Sequence, residues 1–557
     1  MISREFLQVA GRQIHCRIAG VGPPIVLLHD SPRSSVLHLP QLEHFADEFT
    51  VIALDTPGYG NSTPLPREPQ PEIGEFADSL AETLTALGIE RCPVYGFHTS
   101  SKIALEFAVR HPKHVSLAVM DGLNLPPGGP GEEFIARYMK PFEVSEDGSH
   151  LTTAWSRARD LHRFFPWFDT SAKARLPMEF PDPLQLHAYT LDLLMAGADY
   201  SSAYSAAMRY LALPRLAALT ADAVFMCRKT DPLYSYLDTV EQHLPRNARV
   251  LRLSGDRVEW LDTLRKLFAN ANTGFPPYRR VPPSTITGQT YVSLPHGQVR
   301  VQVQGPSTGV PLVLLHDLPG SVQALQSVAS TLAADRRVIS LDLPGEAESD
   351  PLASPDCHHY AATILGVLAD LNISRADLYA QHLAAPIAVD CALQAPALIR
   401  TLVLDGPHIL GKKEQRQLWK DYCPAIMPRW DGTHLVVLWH MLRDRELNWP
   451  WFARGVDAIR RRDLPVDAAT LHQLVTDLVK QPAHYRDACL AAIEYPLAEA
   501  LQRLACTTII LDVSDDPRYR TTGKAARLLP GSRLIRSAGP GAAALLEALR
   551  EPGSTSR

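Results

Sequence analysis

Residues 94–112, VYGFHTSSKIALEFAVRHP, and residues 378–396, LYAQHLAAPIAVDCALQAP, carry one reading twice: a short apolar strand, a sharp turn at a histidine, then a helix. Gly96 and Ser100 flank His98, and Ala380 and Ala384 flank His382, so strand and helix backbones can approach closely at both turns. Working outward, each turn is preceded by a buried-strand run, IVLLHD at 25–30 and LVLLHD at 312–317. Between run and turn lies a second strand entering a Pro/Gly turn, VIALDTPGYGNS at 51–62 and VISLDLPGEAES at 338–349. A further strand follows each helix, SLAVMDG at 116–122 and TLVLDG at 401–406. Strands alternating with helices of this length predict an α/β fold whose mostly parallel sheet is covered on both faces.

The second half repeats the first in near-constant register. His29 and His316, Asp55 and Asp342, His98 and His382, and Asp231 and Asp516 are offset by 287, 287, 284 and 285 residues. A tandem duplication is the simplest cause. Each copy opens on a hairpin pattern, FLQVAGRQIHCRI at 6–18 and YVSLPHGQVRVQV at 291–303. Residues 272–290, with two Pro-Pro pairs, read as the linker, giving domains at 1–271 and 291–557 that are expected to pack on each other.

At 557 residues, 46% hydrophobic and 21% charged, the chain has material for two large cores. Lys plus Arg is 55 against 60 Asp plus Glu, a net charge of -5, which argues against a nucleic-acid partner. No signal-like apolar segment opens the chain and no stretch is long enough to span a bilayer, so the expectation is a cytoplasmic protein without a membrane partner. Eight cysteines without a C-x-x-C pair read as buried thiols.

Three motifs carry a family resemblance: His29-Asp30-Ser31-Pro32 against H-G-x-P, residues 55–62 against D-x-P-G-x-G-x-S, and the elbow Gly96–Ser100 against G-x-S-x-G. On these, both copies resemble α/β-hydrolase domains, close to the epoxide-hydrolase and haloalkane-dehalogenase branch, over nearly the whole chain. The resemblance implies a helical cap over each site, near residues 125–215 and 410–497. It also implies a catalytic acid after strand six, Asp121 or Asp405, or after strand seven, Asp231 or Asp516 with Asp515 beside it.

Three departures matter more than the match. The nucleophile position holds His98 and His382. The oxyanion-loop glycine is replaced by Asp30 and Asp317, a carboxylate where an ester-cleaving site should offer donors. The family's terminal Gly-His reads Gly255-Asp256 and Gly539-Pro540, so no Ser-His-Asp relay assembles from matched positions. A literal G-x-S-x-G at residues 305–309 contains a proline and leads into no helix, and is read as a loop.

The chemistry that remains centres on His98 as general base, or less favourably as a nucleophile forming an acyl-imidazole, with Asp30, Asp231 and Asp256 as candidate partners. Ser31 and Thr99 offer donors beside it, Ser31 at the family's oxyanion position. Asp30 either orients the imidazole or turns outward to cap a loop. His382, Asp317 and Asp516 are the second-copy equivalents; with Ala380 and Ala347 replacing glycines, that copy is expected to be non-catalytic. Its cap tryptophans, Trp430, Trp439, Trp449 and Trp451, line a pocket or fill a core. His98, Asp231 and Asp256 form a conceivable metal trio, but without H-x-H or H-E-x-x-H spacing no metal is expected, and no motif implies an organic cofactor. The leading expectation is an enzyme acting on a small, largely apolar substrate by C–C cleavage, elimination or hydrolysis. The alternative is a pseudo-hydrolase that binds a ligand or partner.

Overall fold

A computed structural model describes residues 2–126, 128–280, 287–461, 466–513, 516–537, 545 and 549. Contacts divide the chain into two compact units, residues 1–143 with 153–284 and residues 144–152 with 285–557. The division falls in the proline-rich stretch, of which residues 281–286 lie outside the described residues.

The strands of the first unit are β1 Ile2–Val9, β2 Arg12–Ala19, β3 Pro24–Leu28, β4 Thr50–Leu54, β5 Cys92–Phe97, β6 Val115–Asp121, β7 Ala223–Arg228 and β8 Ala248–Leu253. They form one sheet in the order β1-β2-β4-β3-β5-β6-β7-β8. The β1–β2 and β2–β4 pairs are antiparallel and the rest are parallel. In the second unit β9 Gly288–Leu294, β10 Gly297–Gln304, β11 Leu312–Leu315, β12 Val338–Leu341, β13 Ala376–Gln381, β14 Ile399–Asp405, β15 Thr507–Val513 and β16 Arg533–Ser537 repeat that order strand for strand. The chain is therefore α/β, with two eight-stranded, mostly parallel sheets covered by helices.

The central strands are apolar on both faces because both faces are covered. Every residue of β3, β4 and β11 is buried. On one face of the first sheet Phe45, Phe49, Leu264 and Phe268 pack into the core with Ile25, Leu27 and Val51. The covering helices have local reasons to begin and end where they do. Ile73–Leu87 starts with a reciprocal capping box between Glu72 and Glu75 and stops at Gly88 in the left-handed conformation.

Helices fill the segments between β6 and β7 and between β14 and β15, where caps were expected. In the first unit they include Pro183–Ala196 and Ser202–Arg209, and Lys102 ties the latter down. Its buried ammonium donates to the carbonyl of Ala207 at 2.7 Å, at that helix's negative C-terminal end. Burial lowers the Lys102 pKa to about 8.

Residues 305–309 lie between β10 and β11, as the loop reading requires. All eight cysteines are free. No helix among the described residues is long and apolar enough to cross a membrane.

Below the site, buried Asp55 organises the loops after β3 and β4. It accepts hydrogen bonds from the amides of Ser35 at 2.6 Å and Asn61 at 2.9 Å, and lies 2.7 Å from His15 Nδ1. Burial disfavours its charge, yet the His15 ring and these donors hold its pKa well below the usual carboxylate range. A depressed carboxylate contributes stability above its unfolded pKa and loses it as pH falls. Asp55→Asn is expected to cost about 3 kcal/mol at pH 7, read as a shift in urea midpoint, and to flatten the loss of stability between about pH 5 and 3. An unchanged midpoint would contradict this role.

Candidate active site

At the end of β5 the chain turns at His98, with φ 47° and ψ -109°, and enters the helix Thr99–Arg110 directly. The turn puts a non-glycine residue at positive φ, which the surroundings must enforce. The His98 amide donates to the Asp121 carbonyl at 2.9 Å, and Ser100 Oγ donates to the His29 carbonyl. A side chain on Gly96 would collide with the Ser100 carbonyl, its Cβ only 2.2 Å away. Gly122, after β6, makes room for the imidazole, since a Cβ there would sit 2.5 Å from His98 Cδ2. The second copy repeats the device: His382 has φ 41°, and a Cβ on Gly406 would lie 2.6 Å from its Nδ1.

The His98 ring stacks on Phe97 and stands between two carboxylates. Its Nε2 is 2.8 Å from Asp231 Oδ2, and its Nδ1 is 3.7 Å from Asp30 Oδ2. Burial disfavours a charged ring, but each carboxylate opposes it with on the order of 4 kcal/mol at this range and an effective dielectric near 20. With a quarter of the side chain (25%) still exposed, the carboxylates win, and the ring's pKa is pushed up to about 10. Asp231 and Asp30 are themselves held low: burial opposes this, but the charge of His98, its Nε2 hydrogen bond to Asp231 and the Ser31 and Thr99 donors on Asp30 outweigh it. This raised pKa favours the protonated, donating form of the ring at neutral pH, whereas the sequence reading expected a general base. A charged ring has no lone pair for nucleophilic attack either.

Asp30 turns inward. Its Oδ1 accepts from the Ser31 amide at 2.8 Å, the Thr99 hydroxyl at 3.0 Å and the Thr99 amide at 3.4 Å. The donors expected to serve substrate are therefore occupied by the chain's own carboxylate. Asp317 does the same in the second copy, accepting from the amides of Leu318 at 2.9 Å and Leu383 at 3.2 Å.

Asp256 does not join this cluster. It is exposed at the N-terminus of the helix Arg257–Ala271, accepting from the amides of Val258 at 2.6 Å and Glu259 at 3.1 Å. An aspartate preceding a helix finds free amides and a positive helix end closer than any distant imidazole. The trio weighed for a metal is consequently not assembled. Asp121 is also engaged elsewhere, accepting from Tyr95 Oη and Trp260 Nε1, both at 2.8 Å.

His98, Asp30, Ser31 and Asp231 open onto a cavity of about 700 Å³. Leu37, Leu161, Leu176 and Met178 line it, but so do Tyr138, Tyr189, Tyr204, Arg33, His162 and Arg228, so its walls are amphipathic rather than largely apolar. Sequence reasoning missed these polar residues. Arg228 had a legible signal, being three residues before Asp231 at the C-terminal end of a parallel strand, where such sheets place their ligands.

The second site is built differently. Among the described residues, the hydrogen-bond partner of His382 Nδ1 is the Gly406 carbonyl, at 3.3 Å. Its expected partner Asp516 is bound instead to Arg518 at 2.8 Å and to Arg460 at 3.4 Å. Burial, then Arg518, drives the His382 pKa well below the ordinary value, so this ring is neutral. His408 lies beside it and stacks on Trp449 at 4.4 Å. None of Trp430, Trp439, Trp449 and Trp451 lines the 370 Å³ cavity at His382; Trp439 and Trp449 are buried and Trp430 is exposed. Asp515 and Gly539-Pro540 lie outside the described residues.

A histidine pKa raised by folding stabilises the folded chain below its unfolded pKa, and that stabilisation is lost as pH rises through the folded value. Wild type is expected to lose stability relative to His98→Gln between pH 7 and 10, with chemical denaturation at each pH as the measurement. A constant difference across that range would contradict the charged ring. Asp256→Ala is expected to cost about 1 kcal/mol as a lost cap and to leave the His98 titration unchanged.

Residues 23–246, less than half of the chain, match the family model described as alpha/beta hydrolase fold. The chain is 32% identical over 124 residues to (E)-2-((N-methylformamido)methylene)succinate hydrolase of Acinetobacter baylyi, covering 22% of this chain and 46% of the relative. It is 30% identical over 122 residues to fluoroacetate dehalogenase of a Burkholderia species, covering 21% and 40%. It thus spans less than half the length of these relatives. Among solved structures, the enol-lactonase of Burkholderia xenovorans LB400 aligns with a TM-score of 0.38 at 17% identity, over 48% of this chain and 99% of that one. Residues 23–246 carry the alpha/beta hydrolase fold, and hydrolases are among its relatives.

Proposed function

We propose that the first unit is an enzyme of the α/β-hydrolase superfamily that acts on a small organic molecule by paired proton transfer. The observation that carries this reading is a histidine ring and a carboxylate facing one cavity across a 3.7 Å gap, the ring's pKa being raised by the two carboxylates beside it. That gap is too long for a direct hydrogen bond, so a substrate oxygen has room to engage both groups. His98 Nδ1 gives its proton to a carbonyl or leaving-group oxygen, and Asp30 Oδ2 takes one from a hydroxyl, an activated C–H or water. Transfer from Asp30 back to His98 restores the resting state. Asp231 fixes the ring and stabilises its charge. Electrons and protons balance without an oxidant, so C–C cleavage, elimination and hydrolysis by an Asp30-activated water all fit.

Acyl transfer is disfavoured. An ester's developing oxyanion would need the donors that Asp30 holds, next to a negative charge. The succinate hydrolase and the dehalogenase among the relatives support hydrolytic chemistry on a small molecule and say nothing of the histidine. A second reading, a ligand-binding pseudo-hydrolase, is favoured by one observation: the same donors are filled in both copies.

Turnover of a panel of β-hydroxy ketones, β-diketones and aryl esters, each with and without a carboxylate group, separates these readings. His98→Gln and Asp30→Asn are each expected to lower turnover about a hundredfold or more, while His382→Gln and Asp256→Asn leave it within about twofold. Activity should persist through pH 8 and fall near pH 10 as His98 loses its proton. No turnover of any class, or equal loss from His98→Gln and His382→Gln, would overturn the proposal. An initial burst with aryl esters that survives Asp30→Asn would point instead to acyl chemistry.

A further inference from the structure

We propose that Arg228 is the anion-binding residue of the first site and that the substrate is a monoanionic carboxylate; this rests on the reading of that cavity as a substrate site. Arg228 is the last residue of β7 and lines the cavity together with Thr230, Asp231 and His98. Its guanidinium lies 4.7 Å above the centre of the Trp260 ring. That ring is itself fixed, because Trp260 Nε1 donates to Asp121 at 2.8 Å and the side chain is buried.

Stacking uses only the face of a guanidinium. Its five N–H donors lie in the plane and remain to be satisfied. No side-chain hydrogen bond or ion pair of Arg228 occurs among the described residues. This contrasts with Arg33, the other arginine of the cavity, which donates to Asp192 at 2.8 Å and lies over Tyr189. A planar cation held by its face, with a free edge at a cavity wall, matches the two oxygens of a carboxylate.

Charge selects a monoanion. Asp30, Asp231 and Glu179 face this cavity against His98 and Arg228, Arg33 being held by Asp192, so the wall carries no surplus positive charge among the described residues. Arg228 can hold one carboxylate by its in-plane donors, whereas the second charge of a phosphate dianion would be repelled by the cavity's own carboxylates. The second copy supports the assignment by contrast. In the register that aligns Asp231 with Asp516, Arg228 corresponds to Val513, and the nearby Arg518 is committed to Asp516. The anion site is therefore specific to the copy whose histidine is charged.

Binding is measured by isothermal titration calorimetry with matched probes, benzoate against benzamide and phenylacetate against phenylacetamide, on the full chain at pH 7 and low salt. Wild type is expected to bind each carboxylate about tenfold more tightly than its amide. Arg228→Gln should remove that preference and Arg228→Lys retain part of it, while His382→Gln, in the second copy, should keep it. If Arg228→Gln unfolds, the Lys variant and the wild-type comparison still decide. Equal binding of acid and amide by wild type, or a preference that survives Arg228→Gln, would overturn the proposal. A residue that merely offsets the charge of Asp231 would shift the His98 titration on substitution without changing the carboxylate-to-amide ratio. Carboxylate selectivity without turnover would sink the enzymatic reading and leave the anion site standing.

Discussion

The His98 ring is held by Asp231 at 2.8 Å and faces Asp30 at 3.7 Å, and the other features of the first site depend on that arrangement. Two carboxylates around one partly buried imidazole favour a protonated ring, because two unshared negative charges in so sheltered a place would be costlier. The proton in turn keeps both acids ionised, and an ionised Asp30 is what the Ser31 and Thr99 donors hold. Elbow backbone, oxyanion-loop donors and proton state thus form one coupled unit. Removing the ring's proton would leave two carboxylates facing each other, while removing either carboxylate would lower the ring's affinity for its proton.

The two copies show how little the backbone dictates chemistry. Both have the same strand order, the same histidine at positive φ, the same glycine accommodating its ring, and the same carboxylate on the loop amides. They differ in where the arginines are. In the second copy Arg518 and Arg460 capture Asp516, leaving His382 with a carbonyl and two aromatic neighbours. A histidine buried without a carboxylate is neutral, while one held between two is charged. Duplication preserved the geometry, and side-chain substitutions a few residues away separated the proton states.

Much of the fold was legible because buried parallel strands leave a short apolar run bounded by turn residues, and IVLL and LVLL stand at corresponding positions of the two halves. The elbow was legible from the small residues around His98. What failed was partner assignment. Asp256 stood where the family's histidine belongs, yet a local cap satisfied it first. The difference between Asp231 and Asp516 lay in Arg518 and in the distant Arg460, and the latter's proximity only the fold reveals. The charge on His98 was equally hidden, since it is a sum over two carboxylates 68 residues upstream and 133 residues downstream.

The most direct test of this account is the protonation state of His98 itself, followed by nitrogen-15 NMR of histidine-labelled protein with the resonance assigned by its loss in His98→Gln. The account predicts two protonated ring nitrogens from pH 6 through pH 8, a midpoint near 10, and a lower midpoint in Asp231→Asn. A neutral ring at pH 7, titrating near its unperturbed value of about 6.5, would contradict it and return His98 to the role of a base.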